Sequence, residues 1–171
     1  MEPFEIVIKS DEDAEVQKLL RSASSDDEMV HFLKYLSQAQ IAELAQDREG
    51  LQALYEKLQA VHSQPGRHYL ARIQGGDFVG WVTVKGAGAQ IPELQVEILP
   101  PYRRQGYGRA LLRYVIQDLF QHTAATRLRY CAGPYNEASM GLVRSLGGVL
   151  QEPISTAENL LLRTFYIYPE V

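Results

Sequence analysis

The spacing of apolar residues changes near residue 65, from helical to strand-like. Before that point, apolar residues recur every three or four positions in three sets: Val16, Leu19, Leu20 and Ala23; Met29, Phe32, Leu33 and Leu36; and Leu51, Leu54, Tyr55, Leu58 and Val61. These sets predict two or three amphipathic helices over residues 11–62, after a strand at residues 4–9 and with Ser10 as a helix N-cap. Pro65 and Gly66 then end the helical block with a turn.

From residue 68 the pattern predicts strands. Three strands, at residues 68–73, 77–85 and 93–99, are separated by glycine-containing turns and predict an antiparallel meander. A helix at 106–121, a strand at 128–131, a helix from Asn136 to Gly147 and a last strand at 158–168 follow. This order predicts a single domain of the α/β or α+β class, in which helices flank a mixed sheet.

Charge is distributed unevenly along the chain. The net charge is −4, but residues 1–66 carry 6 Lys and Arg against 13 Asp and Glu, whereas residues 67–171 carry 11 against 8. The acidic part suits a cationic partner and the basic part an anionic cofactor, although solvated helix faces also carry such charge without a partner. No basic stripe typical of nucleic-acid binding is present in the sequence.

The remaining composition narrows the class of protein further. The apolar runs are too short to span a bilayer, and the N-terminal residues do not resemble a secretory signal, so we expect a cytoplasmic protein without membrane contact. Cys131 is the single cysteine and the four histidines are scattered, so neither a disulfide nor a metal site is expected.

A turn between a predicted strand and a predicted helix carries the clearest chemical pattern. It reads Pro100-Pro101-Tyr102-Arg103-Arg104-Gln105-Gly106-Tyr107-Gly108. Its glycines allow close approach of the backbone, and the free N–H groups of the first helical turn attract an anion such as phosphate. Arg103, Arg104 and Arg109 add positive charge. The turn matches neither the Walker nor the dinucleotide motif, and taken alone it fits an ordinary strand-to-helix turn at least as well.

Residues 98–112 resemble the motif of the GNAT superfamily of N-acetyltransferases, Arg/Gln-x-x-Gly-x-Gly/Ala after a strand. Asn136 and Gly147, which open and close the helix after the next strand, and the Gly80-Trp81 pair resemble further elements of that family. The resemblance covers residues 68–150 and implies a mostly antiparallel sheet with two splayed strands, 93–99 and 128–131. It also implies that 68–150 form an acyl-CoA-binding core and that 11–62 lie on the acceptor side.

The resemblance implies acetyl-CoA, or a related acyl-CoA, as cosubstrate between the splayed strands. Backbone N–H groups of the turn would hold its pyrophosphate, backbone groups of the strand end would hold its pantetheine arm, and one strand N–H would face the thioester oxygen as negative charge develops there. Asn136 would bind the pantetheine, cap its own helix, or do both. The implied cofactor-binding residues are Ile98, Leu99, Arg103, Arg104, Gln105, Gly106, Tyr107, Gly108, Arg109 and Asn136.

Acyl transfer requires a neutral amine and a protonated leaving group. Glu93 and Glu97 share side-chain parity on the strand that leads to the site, so either one would accept the amine proton, directly or through water. Each is also consistent with a solvated strand carboxylate, and Glu97 is preferred because it is closer to the splay. Many family members carry a tyrosine acid seven residues after the helix-opening Asn, but Val143 stands there, which leaves Tyr135 and Tyr130 as substitutes.

Three functions agree with these residues. The first is acetyl transfer from acetyl-CoA to a primary amine of a small molecule or a protein N-terminus, by direct attack in a ternary complex. The second is a non-catalytic acyl-CoA sensor, and the third a phosphate-binding protein for another nucleotide. Cys131 fits a small core residue better than an acyl-carrying nucleophile. The aromatic residues of the last strand suit the core or a homodimer interface.

Overall fold

Seven strands form one sheet in the computed structural model, which describes residues 1–23 and 33–170. In chain order they are β1 Phe4–Ser10, β2 Gly66–Ile73, β3 Phe78–Lys85, β4 Glu93–Ile98, β5 Leu128–Ala132, β6 Val149–Leu150 and β7 Arg163–Ile167. Their order across the sheet is β1-β2-β3-β4-β5-β7-β6. Every neighbouring pair is antiparallel except β4 and β5, which are parallel. The predicted mixed, mostly antiparallel sheet is therefore confirmed.

Helices lie between the strands at places that the apolar spacing largely predicts. They are α1 Ala14–Ala23, α2 Gln38–Ala45, α3 Arg48–His62, α4 Tyr107–His122, α5 Glu137–Ser145 and α6 Thr156–Leu161, with a 3-10 turn at Pro100–Tyr102. The predicted helical set that begins at Met29 falls partly outside the described residues. None of the described helices has the length and apolar character needed to cross a bilayer.

Two apolar layers cover the two faces of the sheet. On one face, α4 buries Leu111, Leu112, Val115 and Leu119 against Tyr69, Val82, Val84 and further residues of the central strands. On the other face, Val16 of α1 packs with Leu70 and Trp81. Full burial of one such aliphatic side chain contributes about 1.5–3 kcal/mol, so these layers are the main source of stability.

The helices α2 and α3 pack against α6, which precedes the last strand. Leu44 of α2 and Leu54 of α3 pack with Leu161 of α6 in a separate apolar cluster. The Asp47 carboxylate lies between these helices, because Oδ1 accepts from the backbone N–H of Gly50 at 3.1 Å and Oδ2 from that of Ala157 at 2.9 Å. One side chain thus caps α3 and α6 together.

Two predictions about local structure are wrong. The predicted last strand begins only at Arg163, because α6 precedes it: the Ser155 hydroxyl caps this helix by accepting from Glu158 N–H at 3.1 Å. The predicted N-cap Ser10 still belongs to β1. Asp13 caps α1 instead, since its Oδ1 accepts from the N–H groups of residues 15 and 16 at 3.0 and 3.2 Å.

Candidate functional site

The sheet opens between its two parallel strands. β4 and β5 pair only at Glu93 with Arg129 and at Leu94 with Tyr130. On its other edge β4 stays paired with β3 as far as Ile98, which lies opposite Gly80. A wedge therefore opens between β4 and β5 beyond Leu94, and the two strands are splayed as predicted.

The hydrogen bonds between β4 and β3 determine which backbone groups of β4 face the wedge. Leu99 N–H donates to the carbonyl of Val79 at 2.8 Å, and Leu99 C=O accepts from the N–H of Tyr102 at 2.9 Å. Because backbone groups alternate in direction along a strand, those of Val96 and Ile98 face the wedge. The N–H of Leu99 is thus engaged within the protein, whereas that of Ile98 faces the wedge; the backbone bonds of Ile98 and Leu99 to pantetheine stay a prediction.

Gly80 explains why β3 and β4 approach so closely at this point. A Cβ added to Gly80 would lie 2.3 Å from the carbonyl oxygen of Glu97 and 2.9 Å from Cα of Ile98, both of which are backbone atoms. A side chain at Gly80 would therefore push the end of β4 into the wedge. This is a local reason for the glycine of the Gly80-Trp81 pair.

The turn after β4 presents an uncapped helix N-terminus. Gly106 is the N-cap of α4 with φ of 91°, a left-handed conformation that favours glycine, and no side chain in the described part of the chain caps the helix. The first intrahelical bond runs from Ala110 N–H to Gly106 C=O at 3.1 Å. The N–H groups of Tyr107, Gly108 and Arg109 therefore have no intrahelical acceptor, and such a set binds anions.

Neighbouring side chains hold this turn against β4 and α5. The amide of Gln105 donates to the carbonyl of Pro101 at 3.0 Å. A Cβ on Gly108 would lie 3.4 Å from Cγ1 of Ile98 and 3.7 Å from Cδ2 of Leu142, so α4 begins in close contact with both elements. The ring of Tyr107 is buried against the rings of Phe4 and Tyr102, so its side chain belongs to the core.

Arg103 connects the turn to the end of β4. Its Nε donates to the carbonyl of Ile98 at 2.8 Å, and its Nη2 donates to Oε1 of Glu97 at 3.1 Å. The Arg103 and Glu97 side chains are 54% and 47% exposed, so this ion pair is a surface interaction. The backbone of the following Arg104 has φ of 63°, which is unusual for a residue other than glycine.

The other predicted carboxylate lies in a different environment. Glu93 is only 4% exposed, and its Oε1 accepts from Sγ of Cys131 at 3.5 Å. Burial, together with the negative charge of Glu93, raises the pKa of the Cys131 thiol, so the reactive thiolate form is disfavoured. This environment supports the core role predicted for Cys131 over that of an acyl-carrying nucleophile.

The residues considered as acids lie around the start of α5. Asn136 caps this helix by accepting from Ser139 N–H at 3.1 Å, so its capping role is confirmed. The Tyr130 hydroxyl is within 2.7 Å of the Ser139 hydroxyl, and burial raises the pKa of Tyr130. Tyr135 lies in the preceding turn and stacks on Tyr35, with ring centroids 3.5 Å apart. Sequence reasoning missed Tyr35, because nothing in its local pattern indicates contact with a residue so distant in the chain.

Val143 lies on the inner side of α5. It is fully buried in the main core cluster, and a Cβ on Gly148 would lie 2.6 Å from its Cγ2. The structure therefore uses this position for packing and supplies no hydroxyl there. This agrees with the departure from the family pattern that the sequence indicated.

A sheet that opens between two parallel strands, next to an uncapped helix N-terminus with a glycine turn, defines the class of acyl-CoA-binding acetyltransferase folds. The profile of the Acetyltransferase (GNAT) family matches residues 27–147. The chain therefore belongs to the GNAT acetyltransferase family, and the resemblance noted in residues 98–112 is confirmed.

Relatives of known structure share the fold over nearly the whole chain. Mutant forms of the spermidine/spermine N-acetyltransferase SpeG from Vibrio cholerae align with a TM-score of 0.62 and 15% identity, covering 96% of this chain and 95% of that one. Spermidine N-acetyltransferase from Vibrio cholerae, in complex with CoA and spermine, aligns with a TM-score of 0.61 and 16% identity over 95% of both chains. At these identities the likeness shows the fold alone.

One curated relative matches in sequence. The UPF0157 protein YqkA of Bacillus subtilis (strain 168) is 25% identical over 122 residues, which are 71% of this chain and 34% of that protein. The chain thus spans about a third of the length of this relative.

Proposed function

We propose that the protein transfers an acetyl group from acetyl-CoA to a primary amine by direct attack in a ternary complex. The observation that carries this proposal is the wedge between β4 and β5, which opens beside the uncapped N-terminus of α4. Membership of the GNAT acetyltransferase family supplies the class of reaction.

The donor set of the turn fits the pyrophosphate of acetyl-CoA. The proposed ligands are backbone N–H groups from Gln105 to Arg109, because the first N–H groups of a helix and its positive dipole end both favour an anion. Glycine at 106 and 108 permits close approach of the backbone. Side chains of Arg103, Arg104 and Arg109 add charge.

Ile98 is proposed to bind the pantetheine arm and the reacting carbonyl through its wedge-facing backbone. A backbone N–H near the thioester oxygen stabilises the negative charge that develops there, and such a donor acts most strongly in the transition state. Asn136 is proposed as a second contact to pantetheine in addition to its cap.

Glu97 is proposed as the base that accepts the amine proton, directly or through water. It lies beyond Leu94, where β4 and β5 separate, whereas Glu93 lies within the paired part of β4 and is buried. The two residues are four positions apart, or about 13 Å along an extended strand, so one amine cannot contact both. We expect Glu97→Gln to lower kcat/KM by about 10²-fold at neutral pH, and Glu93→Gln, the matched control, by less than tenfold in a folded variant. The opposite order would assign the base to Glu93.

The leaving group requires no dedicated acid. A thiol of pKa near 8.5 is about 1.5 units above neutral pH, so departure as a thiolate costs about 2 kcal/mol at equilibrium. Tyr135, in the turn before the helix that Asn136 caps, is proposed as an auxiliary acid whose loss is tolerated.

The acceptor is proposed to be cationic, either an amine-bearing small molecule or a protein N-terminus. Residues 1–66 carry 6 basic against 13 acidic residues, and this region includes the helices on the acceptor side. Polyamines, which the Vibrio cholerae structures name, are the first amines to test. Added salt should raise the KM for a cationic acceptor, because surface charges are screened within about 10 Å at 0.1 M. An anionic best acceptor would contradict this proposal.

A thiol-release assay with acetyl-CoA and a panel of amines tests the proposed reaction. We expect amine-dependent release of CoA thiol and a matching acetylated amine by mass spectrometry. A non-catalytic acyl-CoA sensor is the second candidate, favoured by the buried valine at position 143. CoA binding without amine-dependent thiol release from any amine would support the sensor and contradict the enzyme.

A further inference from the structure

One side chain joins three parts of the candidate site. Arg103 belongs to the turn proposed for pyrophosphate, donates to the wedge-facing carbonyl of Ile98 at 2.8 Å, and forms an ion pair with Glu97 at 3.1 Å. The guanidinium group has several donors in a fixed plane, so it can bind the carbonyl oxygen of Ile98 and Oε1 of Glu97 at the same time. While it does so, Oε1 of Glu97 is held by a cation instead of by an amine.

The ion pair between Arg103 and Glu97 is weak enough for Arg103 to change partner. Both members of the ion pair are about half exposed, and exposed pairs of this kind contribute little to stability. A diphosphate carries more negative charge than one carboxylate and accepts paired hydrogen bonds from a guanidinium group. The exchange is therefore favourable, and it requires movement of only one half-exposed side chain.

We infer that Arg103 is a positioning residue that moves from Glu97 to the diphosphate when acyl-CoA binds, and so frees Oε1 of the proposed base in the loaded protein. This inference rests on the proposed function. It gives an order of events: before the donor binds, Glu97 is paired; afterwards, Glu97 is available to the amine. No covalent bond is made or broken in the exchange: the ion pair of Arg103 with Glu97 is replaced by one with the diphosphate.

A double-mutant cycle on the dissociation constant of CoA, measured by calorimetry at low salt without acceptor, tests this inference. If Glu97 competes for Arg103, Glu97→Gln should tighten CoA binding about two- to fivefold, the size expected of an exposed ion pair. The same substitution should have no effect in the Arg103→Gln background. Arg104→Gln is the matched control: it removes the same charge from the same turn, and Glu97→Gln should still tighten binding there.

Each outcome of this cycle decides for or against the inference. An unchanged dissociation constant in Glu97→Gln overturns it. Equal tightening with and without Arg103 also overturns it, because the effect would then be only long-range repulsion between Glu97 and the ligand. If Arg103→Gln does not fold, Arg103→Lys replaces it: an ammonium lacks the planar donor fork of a guanidinium group, so the effect of Glu97→Gln should shrink.

The cycle also separates this inference from the proposed function. If Glu97→Gln tightens CoA binding only when Arg103 is present, but no amine causes thiol release, the proposed acetyl transfer is contradicted and the exchange of partners by Arg103 is supported. If amines cause thiol release but Glu97→Gln does not act through Arg103, the acetyl transfer is supported and the exchange of partners is contradicted. Absence of CoA binding in the wild type would overturn both.

Discussion

Gly106 and Gly147 offer a matched pair of substitutions for testing the turn. Their φ values are 91° and 89°, so both lie in the left-handed region, where a side chain costs about 1–2 kcal/mol. Among the described residues, and apart from the chain neighbours of each glycine, a Cβ at Gly147 would have no atom within 4 Å and one at Gly106 would have Sδ of Met1 at 3.8 Å. Valine at either position should therefore lower stability by a similar amount through backbone strain.

Only Gly106 lies in the turn proposed to hold the pyrophosphate. CoA at a hundredfold excess over its dissociation constant should stabilise the wild type by about 2.7 kcal/mol. For a domain of this size, 1 kcal/mol corresponds to about 2–4 °C in Tm, so CoA should raise Tm by about 5–10 °C. Gly147→Val should have a lower Tm but keep the full CoA-induced rise, whereas Gly106→Val should lose the rise.

Thermal unfolding with and without CoA, followed by circular dichroism, measures both effects. The reasoning is refuted if folded Gly106→Val keeps the full CoA-induced rise. It is also refuted if Gly147→Val loses the rise, because strain far from the turn would then explain the result equally well.

Two further predictions concern tyrosines. Tyr130→Phe and Tyr135→Phe should each lower kcat by less than about tenfold, below the roughly 10²-fold typical of a general acid; a hundredfold loss with unchanged CoA affinity would identify an essential acid. Burial and the hydrogen bond to Asp118 raise the pKa of Tyr69 from 10.0 to about 12. The neutral phenol therefore stabilises the fold fully below pH 10, and this stabilisation is lost as pH rises from 10 through 12. The urea midpoint of the wild type should fall more steeply over that range than that of Tyr69→Phe, and parallel curves would contradict this account.

The part of the site that could be predicted from sequence is the part formed by contiguous residues. The strand, turn and helix of residues 98–112 combine a left-handed glycine, a free helix start and an apolar helix face, and each depends on local sequence. Asn136 as a cap is local in the same sense. These features need no knowledge of which elements meet.

Features that depend on strand register or distant packing could not be predicted. The N–H of Leu99 is engaged within the protein because β3 is aligned so that Val79 accepts it. The run from Leu160 to Leu162 lacks clear helical or strand alternation; α6 packs against α2 and α3 and ends at Leu161, and Leu162 is already extended. The bonds of Arg103 to Ile98 and Glu97 likewise require a particular side-chain conformation.

The carboxylate of Asp47 has a consequence for how the chain opens in solution. It accepts hydrogen bonds from the backbone N–H groups of Gly50 and Ala157, and Ala157 is 110 residues from Asp47 in the chain. A side chain at Gly50 would displace it, since a Cβ there would lie within contact distance of the carboxylate. The first turns of α3 and α6 therefore share one carboxylate, so fraying of either turn removes a contact that holds this carboxylate in place for the other. Their amide hydrogens should exchange with solvent as one cooperative unit, so α3 and the segment before the last strand should open and close together.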